Sequence, residues 1–112
     1  MSMIAVTRSD SIKLICRAAD SAVHAYLNGD EAYSKQGVAE RGFTDERQLA
    51  ASLQDGYNVL NVLGVNWGDN YLYDVCVELN GNAIASHVEL NQPAGSRPRG
   101  IVWDFAVEFN MT

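Results

Sequence analysis

The stretch YLYDVCVELNGNAIASHVEL, residues 71–90, consists of two runs of alternating apolar and polar residues joined by Asn80-Gly81. An Asn-Gly pair between such runs is a strong signal for a β-hairpin, because a type I′ turn needs positive φ at both central residues. We expect Leu79 to pair with Asn82 and side chains to alternate between the two faces from there. The face predicted to line the core then consists of Tyr71, Tyr73, Val75, Val77, Ile84, Ser86, Val88 and Leu90.

The opposite face of the predicted hairpin is small, acidic and half polar. On the predicted register Asp74 lies directly opposite His87, with Glu78 and Glu89 beside them. A carboxylate that orients an imidazole is a usual arrangement for a general base. The sequence therefore predicts either an acid–base pair or a cross-strand ion pair on a solvated face, where it would contribute little to stability.

Two stretches ahead of the hairpin have helical spacing. From Ser11 to Asn28, apolar residues recur at intervals of three and four, and Gly29 follows in the position of a helix C-cap. A second helix is predicted to begin after Thr44, which can act as its N-cap, and to end near Asp55. We expect both helices to pack on the apolar face of the hairpin.

Two further strands are predicted after these helices. Residues 57–65 could extend the second helix, but their β-branched residues and the preceding Asp-Gly break favour a strand. Gly100 to Phe109 alternates most clearly, with aromatic and aliphatic residues on one face and Asp104 and Glu108 on the other. Because this last strand is apolar and close to the C-terminus, we expect it at a sheet edge, where it would pair with a second copy in a homodimer.

The predicted elements indicate an α+β fold. Two N-terminal helices would pack on one face of a three- to four-stranded antiparallel meander sheet. The chain has 112 residues, of which 47% are hydrophobic and 20% charged, and these are ordinary values for one globular domain. We therefore expect a single α+β domain over residues 1–112.

The acidic residues are distributed unevenly. The net charge of −6 comes from 14 acidic and 8 basic residues, and no Lys or Arg occurs between Gln48 and Ser96. Phosphate binding needs clustered cations, so nucleic acid and anionic membrane are poor partners. A protein with a basic surface is the expected partner, unless the charge serves solubility alone. The residues predicted to bind it are Asp74, Glu78, Glu89, Asp104, Glu108 and Trp67.

The cysteines and the remaining motifs give no sign of a metal or a cofactor. Cys16 and Cys76 lie in apolar patterns without CxxC spacing, which is typical of buried free thiols. Phosphate-binding loops, zinc-protease motifs and calcium loops do not occur in the sequence. No apolar run approaches the length of a membrane span, and the N-terminus has no signal-peptide core. We expect a cytoplasmic protein without cofactor.

Two classes of function are compatible with the sequence. The first is a non-catalytic acidic binding protein, such as an inhibitor or an immunity-type protein. The second is a small pocket enzyme or ligand-binding domain of cone-like α+β fold that uses Asp74 and His87 as general acid and base. The segment YLNGD, residues 26–30, resembles the end of the first helix in the cone-shaped nuclear-transport-factor-2-like domains, which include isomerases and hydratases. This resemblance covers five residues and assigns no role to any of them.

Overall fold

The computed structural model describes residues 3–38, 42–68, 72–90 and 99–112. Of the described residues 75% lie in strands, and their helical content is one 3-10 turn, Ala50–Ser52. The strands are β1 Met3–Val6, β2 Ile12–Leu27, β3 Asp30–Val38, β4 Asp45–Gln48, β5 Gly56–Asn66, β6 Leu72–Leu79, β7 Asn82–Glu89 and β8 Gly100–Met111. The predicted α+β fold is therefore wrong, and the protein is nearly all β.

The eight strands form one curled sheet, a half-barrel, whose central strand is β2. The first half of β2 pairs with β6 on one edge and β4 on the other, and its second half pairs with β5 and β3 in the same way. Beyond β6 lies β7, and beyond β5 lie β8 and then β1, which runs parallel to β8. The prediction that the last strand is a sheet edge is correct only in part, because β1 pairs with β8 at Glu108–Met111 and no described strand pairs with its earlier residues on that side.

The residues predicted to form the first helix form β2 instead. Its inward side chains include Cys16, Ala19 and Val23, which are fully buried. Irregular pairing between Cys16 and Ala18, and again between Ala19 and Ala22, shifts the alternation twice along the strand. Each shift changes the spacing of inward residues from two to three or four, which is the spacing that indicates a helix. The helical pattern in this sequence is thus produced by bulges.

The other predicted elements agree with the structure in part. The second predicted helix is absent: residues 45–48 pair with β2 as β4, and the Leu49 backbone N–H donates to the Ile12 carbonyl at 2.8 Å. Residues 57–65 are a strand, as predicted, and lie in β5. The last strand is confirmed as β8, with Trp103, Val107 and Phe109 buried on its inward face.

The predicted β6–β7 hairpin is confirmed, but its register changes after two pairs. Asn80 and Gly81 have φ of 51° and 85°, as a type I′ turn requires. A bulge at Ile84 then shifts the pairing, so that Val75 lies opposite His87. A shift of one residue moves every later side chain of β7 to the other face. Tyr71, the predicted partner of Leu90, lies outside the described residues.

The core lies on the inward face of the curled sheet. The largest fully buried side chains include Tyr73, Phe109, Ile12, Leu14, Leu49 and Leu60. Burial of a side chain of this size contributes about 1.5–3 kcal/mol of transfer free energy. Trp103, Val75 and Val77 are buried together as predicted, while Phe105 and Ile84 are partly buried against them.

Candidate functional site

His87 and Glu89 lie on the inward face of β7, where β7 approaches β8. The bulge in β7 directs the His87 ring onto the Trp103 indole, with ring centroids 4.4 Å apart and planes 10° from parallel. Tyr73 contacts the same indole edge-on, at 5.3 Å between centroids. The His87 side chain is 29% exposed, and its Nε2 lies 2.6 Å from the Glu89 Oε1. We call these four residues the His87–Trp103 cluster.

The His87–Trp103 cluster is closely packed. The Trp103 indole lies across Gly64 of β5, where a Cβ atom would overlap the indole nitrogen and its neighbouring carbon. Only glycine therefore allows the ring to lie there. Trp103 covers one face of the His87 ring, and the Glu89 carboxylate contacts the Nε2 edge. This arrangement fixes the ring in place.

Asp74 and His87 are not brought together. Asp74 lies opposite Val88 on β7 and opposite Ala18 on β2, and its side chain is on the outward face. His87 lies on the inward face with Tyr73 and Val75, because side chains alternate. The predicted Asp74–His87 pair is therefore wrong, and the acid–base site that depended on it is not formed.

Four of the five predicted acidic residues share the outward face of the sheet. Asp74 and Glu78 alternate with the buried residues of β6, and Asp104 and Glu108 alternate with those of β8. Glu89 is the exception, since the bulge turns it inward. Sequence alternation was therefore enough to place the carboxylates of β6 and β8, but not that of β7.

The two outward acidic pairs differ in their surroundings. Glu78 lies opposite Lys13 of β2, whose ammonium contacts the Glu46 carboxylate of β4 at 3.5 Å. Glu108 lies opposite Val59 of β5 and Met3 of β1, and Asp104 lies opposite a leucine. A hydrogen bond to Glu108 raises the pKa of the exposed Tyr57, because the carboxylate stabilises the protonated phenol. The β8 pair thus borders neutral strands.

Lysine and arginine occur in three of the eight described strands. The sequences of β5, β6, β7 and β8 contain no Lys or Arg. The cations of the described strands lie on β2, β3 and β4, at Lys13, Arg17, Lys35 and Arg47, and β2 lies between β5 and β6. We call β5–β8 the cation-free strands.

Exposed apolar side chains accompany the cation-free strands. Trp67, a predicted partner-binding residue, is 53% exposed, and its carbonyl accepts a hydrogen bond from Arg99. Val88, Leu90 and Ile101 are also exposed, although the sequence predicted them on apolar faces. For Val88 the cause is the bulge in β7, for which we find no signal in the sequence.

A second polar cluster lies at the edge formed by β3 and β4. The Tyr33 hydroxyl donates to the Asp45 carboxylate at 2.8 Å, and burial together with this bond raises the pKa of Tyr33. The Arg47 guanidinium lies over the Tyr33 ring at 5.7 Å. The adjoining cleft, lined by Glu31, Ala32, Tyr33, Ser34 and Arg47, has a volume of about 210 Å³. Small-molecule pockets start at roughly 300 Å³, so this cleft does not indicate a substrate site.

The described residues contain no group of three or more side chains placed to hold a metal ion. Within the same residues, no helix has the length and apolar character needed to cross a membrane. Comparison with known proteins gives no match to a family model, a curated protein or a solved structure. The functional interpretation therefore depends on the geometry and charge of this chain.

Proposed function

We propose that the protein is a non-catalytic acidic binding protein that docks on a basic surface of another protein. An inhibitor or immunity-type protein would act in this way. The observation that supports the proposal is that the cation-free strands carry four outward carboxylates, at Asp74, Glu78, Asp104 and Glu108. A surface of one sign attracts a complementary surface and speeds the encounter, while it repels nucleic acid and anionic lipid.

Asp104 and Glu108 form the centre of the proposed docking surface. Glu108 borders the uncharged strands β1 and β5 and Asp104 borders β5, whereas Glu78 lies opposite Lys13. Their charge is therefore less compensated than that of the β6 pair. We place Trp67 at the border of this surface, because exposed tryptophan is enriched in protein interfaces.

Reducing conditions are compatible with the structure. Cys16 and Cys76 are buried free thiols, and burial raises the pKa of each. As part of the proposal we place the protein in the cytoplasm, where such thiols stay reduced.

A charge-reversal experiment tests whether the position of the carboxylates matters. One variant carries Asp104→Lys with Glu108→Lys, and a matched control carries Asp30→Lys with Glu31→Lys at the β2–β3 turn. Each substitution adds two charges, so both variants go from −6 to −2. Binding to poly-L-lysine is measured across a salt series, with circular dichroism to confirm the fold.

The proposal predicts that the β8 variant loses about tenfold in affinity, which is about 1.4 kcal/mol, and that its salt dependence becomes shallower. The control should stay close to the wild type. Equal losses in the two variants would mean that only the net charge matters. In that case the outward carboxylates serve solubility and the proposal is wrong.

A further inference from the structure

The outward face of β5 is unusually apolar for a strand in an antiparallel sheet. Both of its neighbours, β2 and β8, run antiparallel to it. Such strands commonly alternate apolar inward residues with polar outward residues. The outward positions of β5 instead include Val59, Leu63 and Val65, and all three side chains are partly exposed. We call these three residues the β5 outer stripe.

Apolar side chains of the neighbouring strands extend the β5 outer stripe. Ile101 of β8 lies opposite Val65 and is 66% exposed. Met3 of β1 is 51% exposed and lies beside Glu108, which in turn lies opposite Val59. A contiguous apolar patch on the surface of a soluble protein is typical of an interaction site. The outward surface of β1, β8 and β5 therefore has the character of an interface.

Carboxylates border the β5 outer stripe along β8. Asp104 lies opposite Leu63, and Glu108 lies opposite Val59. The strands β1, β5 and β8 contain no Lys or Arg, and neither does the part of β2 that pairs with β5. Arg99, just ahead of β8, donates to the carbonyl that follows β5. Because a carboxylate covered without a cation is costly, an occupant of the stripe must bring cations to its β8 side.

We propose that the partner contacts this surface with a basic amphipathic helix that lies along β5. This inference rests on the proposed function and specifies the element through which the partner binds. A helix is about 10 Å across and strands are about 4.8 Å apart, so a helix over β5 also reaches β8 and β2. Its apolar face would pack on the β5 outer stripe, and lysines or arginines on one flank would meet Asp104 and Glu108.

The two carboxylates of β8 have a spacing that a helix can match. Asp104 and Glu108 are four residues apart on one strand, which corresponds to about 13 Å. Two lysines seven residues apart lie on the same side of a helix at a distance of about 10.5 Å. Their long side chains cover the remaining distance while the stems pack on apolar surface. A single helix can therefore contact the stripe and both carboxylates.

A second copy of the chain fits this surface less well. Two copies packed through the β5 outer stripe would enclose four carboxylates, and β1, β5 and β8 would contribute no Lys or Arg to balance them. Each copy also carries a net charge of −6. Charge complementarity therefore favours a basic helix. The homodimer predicted from the sequence becomes an alternative that the experiment can detect.

The test uses two synthetic peptides of about four helical turns, made of leucine, alanine and lysine in the same proportions. In the first peptide the leucines recur at intervals of three and four and form one face. In the second the same residues are reordered, so that leucines are spread around the helix and the charge is unchanged. Binding to the full chain is measured by titration and by NMR. We expect the first peptide to bind at least about tenfold more tightly and to shift the amides of β5 and β8 more than those of β6 and β7.

A pair of matched variants tests the position of the apolar contact. Leu63→Gln with Val65→Thr removes two members of the β5 outer stripe at constant charge. Val88→Thr with Leu90→Gln makes the same changes at exposed residues of the β7 end. Circular dichroism and urea denaturation check that both variants are folded. We expect the first variant to lose about tenfold in affinity for the amphipathic peptide and the second to bind like the wild type. Equal affinities in the two variants, or amide shifts confined to β6 and β7, would contradict the inference.

The charge-reversal variant separates this inference from the proposed function. If the two peptides bind equally well and Asp104→Lys with Glu108→Lys weakens both, docking by charge is supported and the helix contact is wrong. If that variant binds the amphipathic peptide as the wild type does, both proposals are wrong. If neither peptide binds at millimolar concentration, the helix contact is wrong, and the poly-L-lysine measurement still decides docking by charge. If sedimentation shows a wild-type dimer that Leu63→Gln with Val65→Thr dissociates, a second copy occupies the stripe, which contradicts the inference.

Discussion

The Asn-Gly turns at 28–29 and 80–81 follow a leucine and have the same geometry. In both turns the asparagine has φ near 50° and the glycine has φ near 86°. The asparagine backbone N–H donates to a carbonyl of a neighbouring strand segment, at Val59 in the first turn and Ser11 in the second. Its side-chain Oδ1 accepts from the N–H of that same residue, at 2.9 Å and 2.8 Å. Each turn is therefore clamped to an adjacent part of the sheet.

In each turn the asparagine side-chain amide donates a third hydrogen bond. The two turns differ in the residue that accepts it. Asn28 donates to Asn58, which is fully buried and also bonds to Gln54 and Gly56. Asn80 donates to Asp10, at the surface. A local sequence signal thus sets the same backbone geometry twice. Its contribution to stability depends on the group that the turn contacts.

The largest effect is expected from removing the buried partner. Asn58→Ala removes a fully buried amide and its four hydrogen bonds to Asn28, Gln54 and Gly56, so we expect a loss of about 3 kcal/mol in the free energy of unfolding. Asp10→Ala removes the corresponding partner of the other turn and should cost much less, because water replaces it. Urea denaturation measures both. Equal losses of unfolding free energy in the two variants would contradict the distinction between a buried and an exposed hydrogen-bond partner.

A smaller effect is expected from the turn asparagines themselves. Asn28→Ala should destabilise by about 2 kcal/mol and Asn80→Ala by about 1 kcal/mol, since alanine tolerates positive φ poorly and loses the clamp. Asn28→Gly and Asn80→Gly are matched controls that preserve the backbone conformation. The difference between each alanine and glycine variant gives the conformational contribution. This difference should be similar in the two turns.

The smallest effect is a dependence on pH in one turn alone. The hydrogen bond from Asn80, and then that from the Thr7 N–H, hold the pKa of Asp10 below its ordinary value of 3.8. A lowered pKa stabilises the folded state above the ordinary value, and this stabilisation is lost as pH falls through the folded-state pKa. Wild-type stability should therefore fall more than that of Asp10→Asn between about pH 5 and pH 3. Parallel curves for the two proteins would show that Asp10 does not take part.

The two turns also show how far sequence reasoning reaches. The turn at 80–81 is predictable because its flanking strands alternate, whereas the helical spacing before the same dipeptide at 28–29 predicts a helix cap. The bulges in β2 convert its alternation into helical spacing, and they depend on pairing with distant strands. Local sequence does not contain that information.

In the candidate site, too, some positions follow from strand alternation and others depend on a register shift. The outward positions of Asp104 and Glu108 follow from alternation along β8, since its register shift against β5, at Val102, precedes both residues. The bulge at Ile84 moves His87 and Glu89 to the inward face, where they meet Trp103. Regular strands could thus be predicted from the sequence, and contacts that depend on a register shift could not.

The structure depends most directly on Ile12–Leu27 being a strand. NMR measurement of nuclear Overhauser effects between backbone protons tests this without any variant. A strand predicts contacts from His24 to Leu63 of β5 and from Ile15 to Cys76 of β6. A helix would instead give contacts between residues three and four apart throughout Ile12–Leu27. That result would contradict the curled sheet and the outward face on which the proposed docking depends.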